Sequence, residues 1–183
     1  MVFTIGHSTR PLSQFVGLLN QYRVTMLIDV RTIPHSRHNP QFNIETLPSS
    51  LAAQGIKYRH MPDLGGLRKP QADSLNTGWR NLFFRGFADY IATAEFEKAL
   101  QNVTTLVSEQ TICLMCAEAV PWRCHRSLIG DALTVRGLDV IDIISEESAH
   151  LHRLTPFATV SGGRIVYPPA PETVEAASPA RLA

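Results

Sequence analysis

Two short runs, Met26-Leu27-Ile28-Asp29-Val30 and Ile112-Cys113-Leu114-Met115-Cys116, are apolar at nearly every position. A strand with one face in water alternates apolar and polar residues, so an unbroken run marks a strand covered on both sides. That is the pattern of a parallel sheet sandwiched between helices. Further β-rich runs occur at Val2 to Ile5 (ended by Gly6), Ile56 to Met61 and Val140 to Ile144, with Arg164 to Tyr167 as a sixth. Between them lie stretches with helical spacing. Pro11 opens one, with Phe15, Leu18, Leu19 and Tyr22 on one face. Leu47 to Ala53 is a weaker one, stopped by Gly55. A long helix is expected from Phe87 to Val107, and another from Trp122 to Arg136 that Gly137 ends. Strands alternating with helices predict an α/β fold, a mainly parallel sheet of five or six strands in a Rossmann-like three-layer architecture.

The 183 residues, 44% apolar and 18% charged, fit one domain able to bury a core without disulfides or metals. We expect that domain over residues 1–168 and a disordered tail, rich in Pro, Ala and Glu, over 169–183. No apolar run approaches the ~20 residues a membrane span needs. The first residues lack the basic start and small-residue cleavage site of a secretory signal, and the three cysteines are an odd number. A cytoplasmic protein with free thiols is the expectation. Residues 1–90 carry a balance of +5 and residues 91–183 one of −4, for a total of +1. Such a total argues against non-specific polyanion binding by the whole surface, though not against a local basic face.

In parallel α/β sheets, ligands bind beyond the carboxyl ends of the strands. The polar residues of this chain gather at those ends. The first strand leads into His7 and Ser8, the second into Asp29, Arg31, Ser36 and Arg37, and the third into Asp63, Gly65, Gly66 and Arg68. The fourth leads into Cys116, Glu118, Arg123, His125 and Arg126. The alternative is an ordinary set of solvated loops.

The segment after the fourth strand is the most informative. With Pro121 at the first helical position, Arg123 and Arg126 fall in the first turn, where the dipole disfavours cations by about 0.3–1 kcal/mol each. Either Glu118 pairs with one of them, or an external anion binds at the helix N-terminus between guanidinium forks. We expect a phosphate or carboxylate site there, with Arg31, Arg37 and Arg68 converging on it. Cys116 stands where a strand meets this loop, in the strand–Cys–loop–Arg–helix order of thiol phosphatases and rhodanese-like sulfur transferases. The spacing to Arg123 and the lack of loop glycines depart from both, so Cys116 reads first as a small buried hydrophobe and second as a nucleophile. His7 and His125 are candidates for proton transfer, with Asp29 or Glu118 as orienting carboxylate.

Cys116, Cys124 and His125 are a potential set of zinc ligands, but no second paired motif accompanies them, and Cys113 and Cys116 fall on opposite faces of their strand. No metal and no cofactor is therefore assigned. Gly78 to Tyr90 interleaves aromatics with arginines, which suits core packing, a lid over the crevice or a base-stacking surface.

Several motifs resemble those of a widespread bacterial family known only as domain of unknown function 488. They are Thr4-Ile5-Gly6-His7-Ser8, Leu27 to Arg31 followed by Pro34 and Ser36, Leu64-Gly65-Gly66, Phe84 to Tyr90, Cys116-Ala117-Glu118 and Cys124-His125-Arg126. The resemblance spans residues 2–168 and implies a compact α/β domain, but no activity. From the residues themselves we expect an enzyme, a hydrolase or transferase, acting on a nucleotide, nucleic-acid end or small phosphoester. Its acid–base, orienting or nucleophilic groups would be His7, Asp29, Cys116, Glu118 and His125. Its anion would be held by Ser8, Arg31, Ser36, Arg37, Arg68, Arg123 and Arg126. The alternative is a non-catalytic nucleotide- or nucleic-acid-binding module.

Overall fold

A computed structural model describes residues 1–169; apart from Pro169, the expected tail lies outside the described residues. In chain order the elements are β1 (Val2–Gly6), α1 (Leu12–Gln21), β2 (Met26–Asp29), α2 (Leu47–Ala52), β3 (Lys57–His60), α3 (Leu82–Ile91) and α4 (Ala94–Val107). There follow β4 (Ile112–Cys116), α5 (Arg126–Val135), β5 (Val140–Ile143), β6 (Ala149–Leu151), β7 (Thr159–Ser161) and β8 (Arg164–Val166). The main sheet runs β3-β2-β4-β1-β5-β6, with β6 alone antiparallel.

Helices cover both faces because the strands are apolar on both. Val2, Ile28, Ile112, Leu114 and Cys116 face a core built with α3, α4 and α5. Their alternates Phe3, Ile5, Leu27, Cys113 and Met115 face a second core beneath α1 and α2. Cys113 and Cys116 do lie on opposite faces, as the two-residue period of a strand requires. The three-layer α/β architecture is thus as expected.

Three local expectations are corrected. The long helix breaks at Ala92, because Thr93 caps a new one through its hydroxyl, which accepts from Phe96 N–H at 3.3 Å. The helix expected from Trp122 begins only at Arg126; Pro121–Arg123 is a separate 3₁₀ turn and Cys124 is extended between the two. The sixth strand of the sheet is β6, while Arg164–Val166 pairs with β7 in a separate hairpin. The loop between β3 and α3 runs over the surface but is anchored from within. The buried Asp89 carboxylate accepts from Gln71 N–H at 2.8 Å, Ser74 Oγ at 2.6 Å and Asn76 Nδ2 at 2.7 Å.

Candidate active site

Backbone hydrogen bonds continue past the strand ends and stitch the loops together. His7 and Ser8 N–H donate to the Cys116 and Ala117 carbonyls, and Val30 N–H to that of Met115. Gly6 makes this approach feasible: a Cβ there would lie 1.7 Å from the Glu118 carbonyl oxygen. Two hollows open above the stitched ends. One, of about 400 Å³, has Cys116, Cys124 and His125 in its wall with Glu118 and Arg123, and an apolar flank of Ile33, Leu67 and Phe83. The other, of about 420 Å³, takes in His7, Ser8, Ser36 and Asn39. Arg31, Ala117 and Glu118 border both.

The wall of the first hollow is a thiol–imidazole cluster. His125 Nδ1 lies 4.0 Å from Cys116 Sγ and 3.7 Å from Cys124 Sγ. The other ring nitrogen, Nε2, is 3.3 Å from the Val30 carbonyl, an acceptor only. That bond assigns the proton to Nε2 and leaves the Nδ1 lone pair facing the sulfurs. Phe87 packs edge-on against the ring at 5.0 Å. The Cys116–Cys124 hydrogen bond, joined by burial, pushes the Cys116 thiol well up. The same bond, helped by His125 and Arg126 against burial, holds the Cys124 thiol well down. The upward direction at Cys116 works against the thiolate that a nucleophile needs.

The arginines do not form the common cradle that the sequence suggests. Arg31 is spent internally: Nε donates to Asp29 Oδ1 at 2.9 Å and Nη2 to the Phe42 carbonyl at 2.6 Å. Asp29 is fully buried and also accepts from Tyr58 Oη at 2.8 Å, so it anchors Arg31 and reaches neither hollow. Arg126 points inward from the first residue of α5, donating to Thr4 Oγ1 at 2.9 Å and the Glu118 carbonyl at 2.7 Å. The compensation for a cation at this helix start is therefore a backbone carbonyl and a hydroxyl, not the Glu118 carboxylate. Arg68 lies over the Tyr90 ring at 3.7 Å and donates to the Gly65 and Asp63 carbonyls. Arg37 is exposed and borders neither hollow. Among the described residues, Arg123, exposed on the 3₁₀ turn, is the arginine left facing the first hollow with its side chain uncommitted.

His7 is buried and stacked on Phe42 at 4.3 Å. Its Nδ1 donates to the Ser8 carbonyl at 2.8 Å, which leaves Nε2 to accept from Arg31 Nη1 at 3.2 Å. Burial, with the charges of Arg31 and Arg126, lowers its pKa to about 4. A neutral ring already engaged at both nitrogens orients Arg31 rather than shuttling protons near pH 7. Ser8 and Ser36 border the second hollow, where Ser36 Oγ accepts from Asn39 N–H at 3.1 Å. Of the Gly78 to Tyr90 stretch, Phe87 is core and Trp79 packs on Phe84, Phe157 and Tyr167, whereas Phe83 is 61% exposed at the hollow's edge.

The sequence passes over two contributors to this site. Cys124 is set aside for want of a paired motif, although its adjacency to His125 was the available signal. Gly66 is named at a strand end without a role, because only the fold shows that a Cβ there would sit 2.5 Å from His125 Nδ1.

Fold and site together define a three-layer α/β protein with a thiol–imidazole cluster at the carboxyl ends of a parallel sheet. The family described as domain of unknown function DUF488 matches residues 11–133, and the chain belongs to it. No curated protein and no solved structure matches the chain. No helix among the described residues is long and apolar enough to cross a membrane.

Proposed function

We propose that this protein is an enzyme, a hydrolase or transferase, acting on a phosphate-bearing substrate in the hollow at the ends of β2 and β4. The observation that carries the reading is the composition of that hollow. Among the described residues it brings an uncommitted guanidinium (Arg123), an exposed carboxylate (Glu118) and a half-buried imidazole (His125) to one cavity of about 400 Å³. Arg123 suits an anionic group, which a guanidinium binds in bidentate fashion. Glu118 suits proton transfer at the rim. The exposed Ile33, Leu67 and Phe83 suit the apolar or aromatic remainder of the substrate, which favours a nucleotide over a bare phosphoester. Free thiols at all three cysteines fit a reducing, cytoplasmic setting.

Thermal-shift and calorimetric titration with inorganic phosphate and the nucleoside monophosphates tests the reading. One of them should bind, and Arg123→Ala should weaken it by about 10- to 100-fold, the loss of a charge-assisted hydrogen bond. Arg37→Ala should leave binding unchanged. Binding that ignores Arg123, or no binding by any of these compounds, refutes it. The exposed Phe83 ring favours a second reading, a non-catalytic nucleotide- or nucleic-acid-binding module. Glu118→Gln separates the two: it should abolish turnover in an enzyme and matter little to a binding module.

A further inference from the structure

We propose that Cys116, Cys124 and His125 are the three protein ligands of a zinc-class transition-metal ion, with the fourth coordination position open to the hollow. Their ligand atoms all lie within 4.8 Å of one another. A tetrahedral zinc site, with Zn–S near 2.3 Å and Zn–N near 2.0–2.1 Å, has N···S edges of about 3.6 Å. The 3.7 Å and 4.0 Å separations from Nδ1 to the two sulfurs come within a few tenths of an ångström of that edge. Two thiolates with one imidazole are a soft donor set, suited to zinc rather than to calcium or magnesium.

The surroundings meet the further requirements of a ligand set. Metal-bound histidines usually donate their second ring N–H to a carbonyl or carboxylate, which fixes the tautomer. His125 Nε2 has the Val30 carbonyl for this purpose, and Nδ1 is bare toward the sulfurs. Gly66 offers no side chain where one would press on Nδ1. Cys116 is held at the end of the central strand β4, and Cys124 by its N–H to the Pro121 carbonyl at 2.9 Å. Binding would release the remaining thiol protons to solvent, and two thiolates would neutralise a divalent ion.

The absence of a second paired motif counts against a closed four-ligand structural site. It does not count against a catalytic-type site, which has three protein ligands and a water or substrate in the fourth position. An ion here would face Glu118 and Arg123 across the hollow and supply a lowered-pKa water for hydrolysis. The metal assignment stands on ligand geometry and does not depend on the phosphate reading.

Titration of the reduced full-length protein with Co(II) alone tests it. One equivalent should bind with an intense thiolate-to-cobalt charge-transfer band, and added Zn(II) should bleach that band. Zn(II) should also protect two of the three thiols from alkylation. Cys116→Ser and Cys124→Ser should each weaken Co(II) binding more than the 10–100-fold typical of a lost outer-shell partner. Cys113→Ser, on the other face of the sheet, should bind as the wild type does. A wild-type protein with no band, or a band that survives in the Cys116→Ser and Cys124→Ser variants, overturns the assignment without touching the phosphate titrations. Because the first measurement uses the unmutated chain, a variant that fails to fold does not rescue the idea.

Discussion

His152 should make the fold lose stability as pH rises above neutral. The imidazole is buried between two carboxylates, with Nδ1 2.8 Å from Asp142 Oδ2 and Nε2 2.9 Å from Asp131 Oδ1. Burial lowers its pKa, but the hydrogen bonds to Asp131 and Asp142 and their charges outweigh burial and raise it to about 9. A folded-state pKa above the unfolded value of 6.5 means that the folded chain holds its proton more tightly. The stabilisation is complete below about pH 6.5 and is lost as pH climbs through 9. At ~1.4 kcal/mol per unit the full effect is about 3 kcal/mol. For a chain of this size that corresponds to a fall in melting temperature of about 6–12 °C. Thermal unfolding followed from pH 6 to pH 10 reads it directly. His152→Gln should be less stable than the wild type at pH 6.5 and should lose most of the slope. A wild-type melting temperature that is flat over this range, or an equal slope in the variant, would refute the reasoning.

Two substitutions probe the frame around the site. Gly6→Ala places a methyl group 1.7 Å from the Glu118 carbonyl oxygen, backbone against backbone, with no flexible side chain to give way. It should destabilise the fold by at least the ~1–3 kcal/mol of an overpacked core and lower the urea midpoint accordingly. Asp89→Ala leaves the Gln71, Ser74 and Asn76 donors without their shared acceptor. It should cost about 1–3 kcal/mol and open residues 69–78 to limited proteolysis, with little change in Co(II) binding.

The sheet was legible because burial on both faces leaves a plain mark, the unbroken apolar runs at β2 and β4. The crevice position followed from chain order alone. What could not be read was how each arginine would be spent. Arg31, Arg68 and Arg126 look alike in sequence, yet one pairs with a carboxylate two residues back, one stacks on a tyrosine, and one donates to β1. Only the first of these is a local contact; the stacking of Arg68 on Tyr90 and the bond from Arg126 to Thr4 span 22 and 122 positions, which local periodicity does not carry. The break at Ala92 was legible in principle, since Thr93 followed by Glu95 and Glu97 is a helix-start signal. It was hidden by apolar residues that stay in phase on both sides. The 3₁₀ turn at Pro121 misled for the opposite reason, because proline opens either kind of helix.

A count of buried charge explains why Arg126 cannot double as an anion receptor. Arg126 is 1% exposed and, among the described residues, its guanidinium meets only neutral acceptors directly. One of these, Thr4 Oγ1, in turn donates to Asp142 Oδ1 at 2.6 Å. The hydroxyl therefore relays Arg126 to a carboxylate that His152 shares with Asp131, and Tyr167 Oη caps the far end at 2.8 Å from Asp131 Oδ2. Two carboxylates, one imidazolium and one guanidinium sum to zero, the condition under which buried charges can be retained at tolerable cost. A phosphate drawn onto Arg126 would strip Asp142 of its relayed partner and add uncompensated negative charge to that network. Arg31 is closed off likewise by Asp29. An anion entering the hollow would thus have Arg123 as its guanidinium.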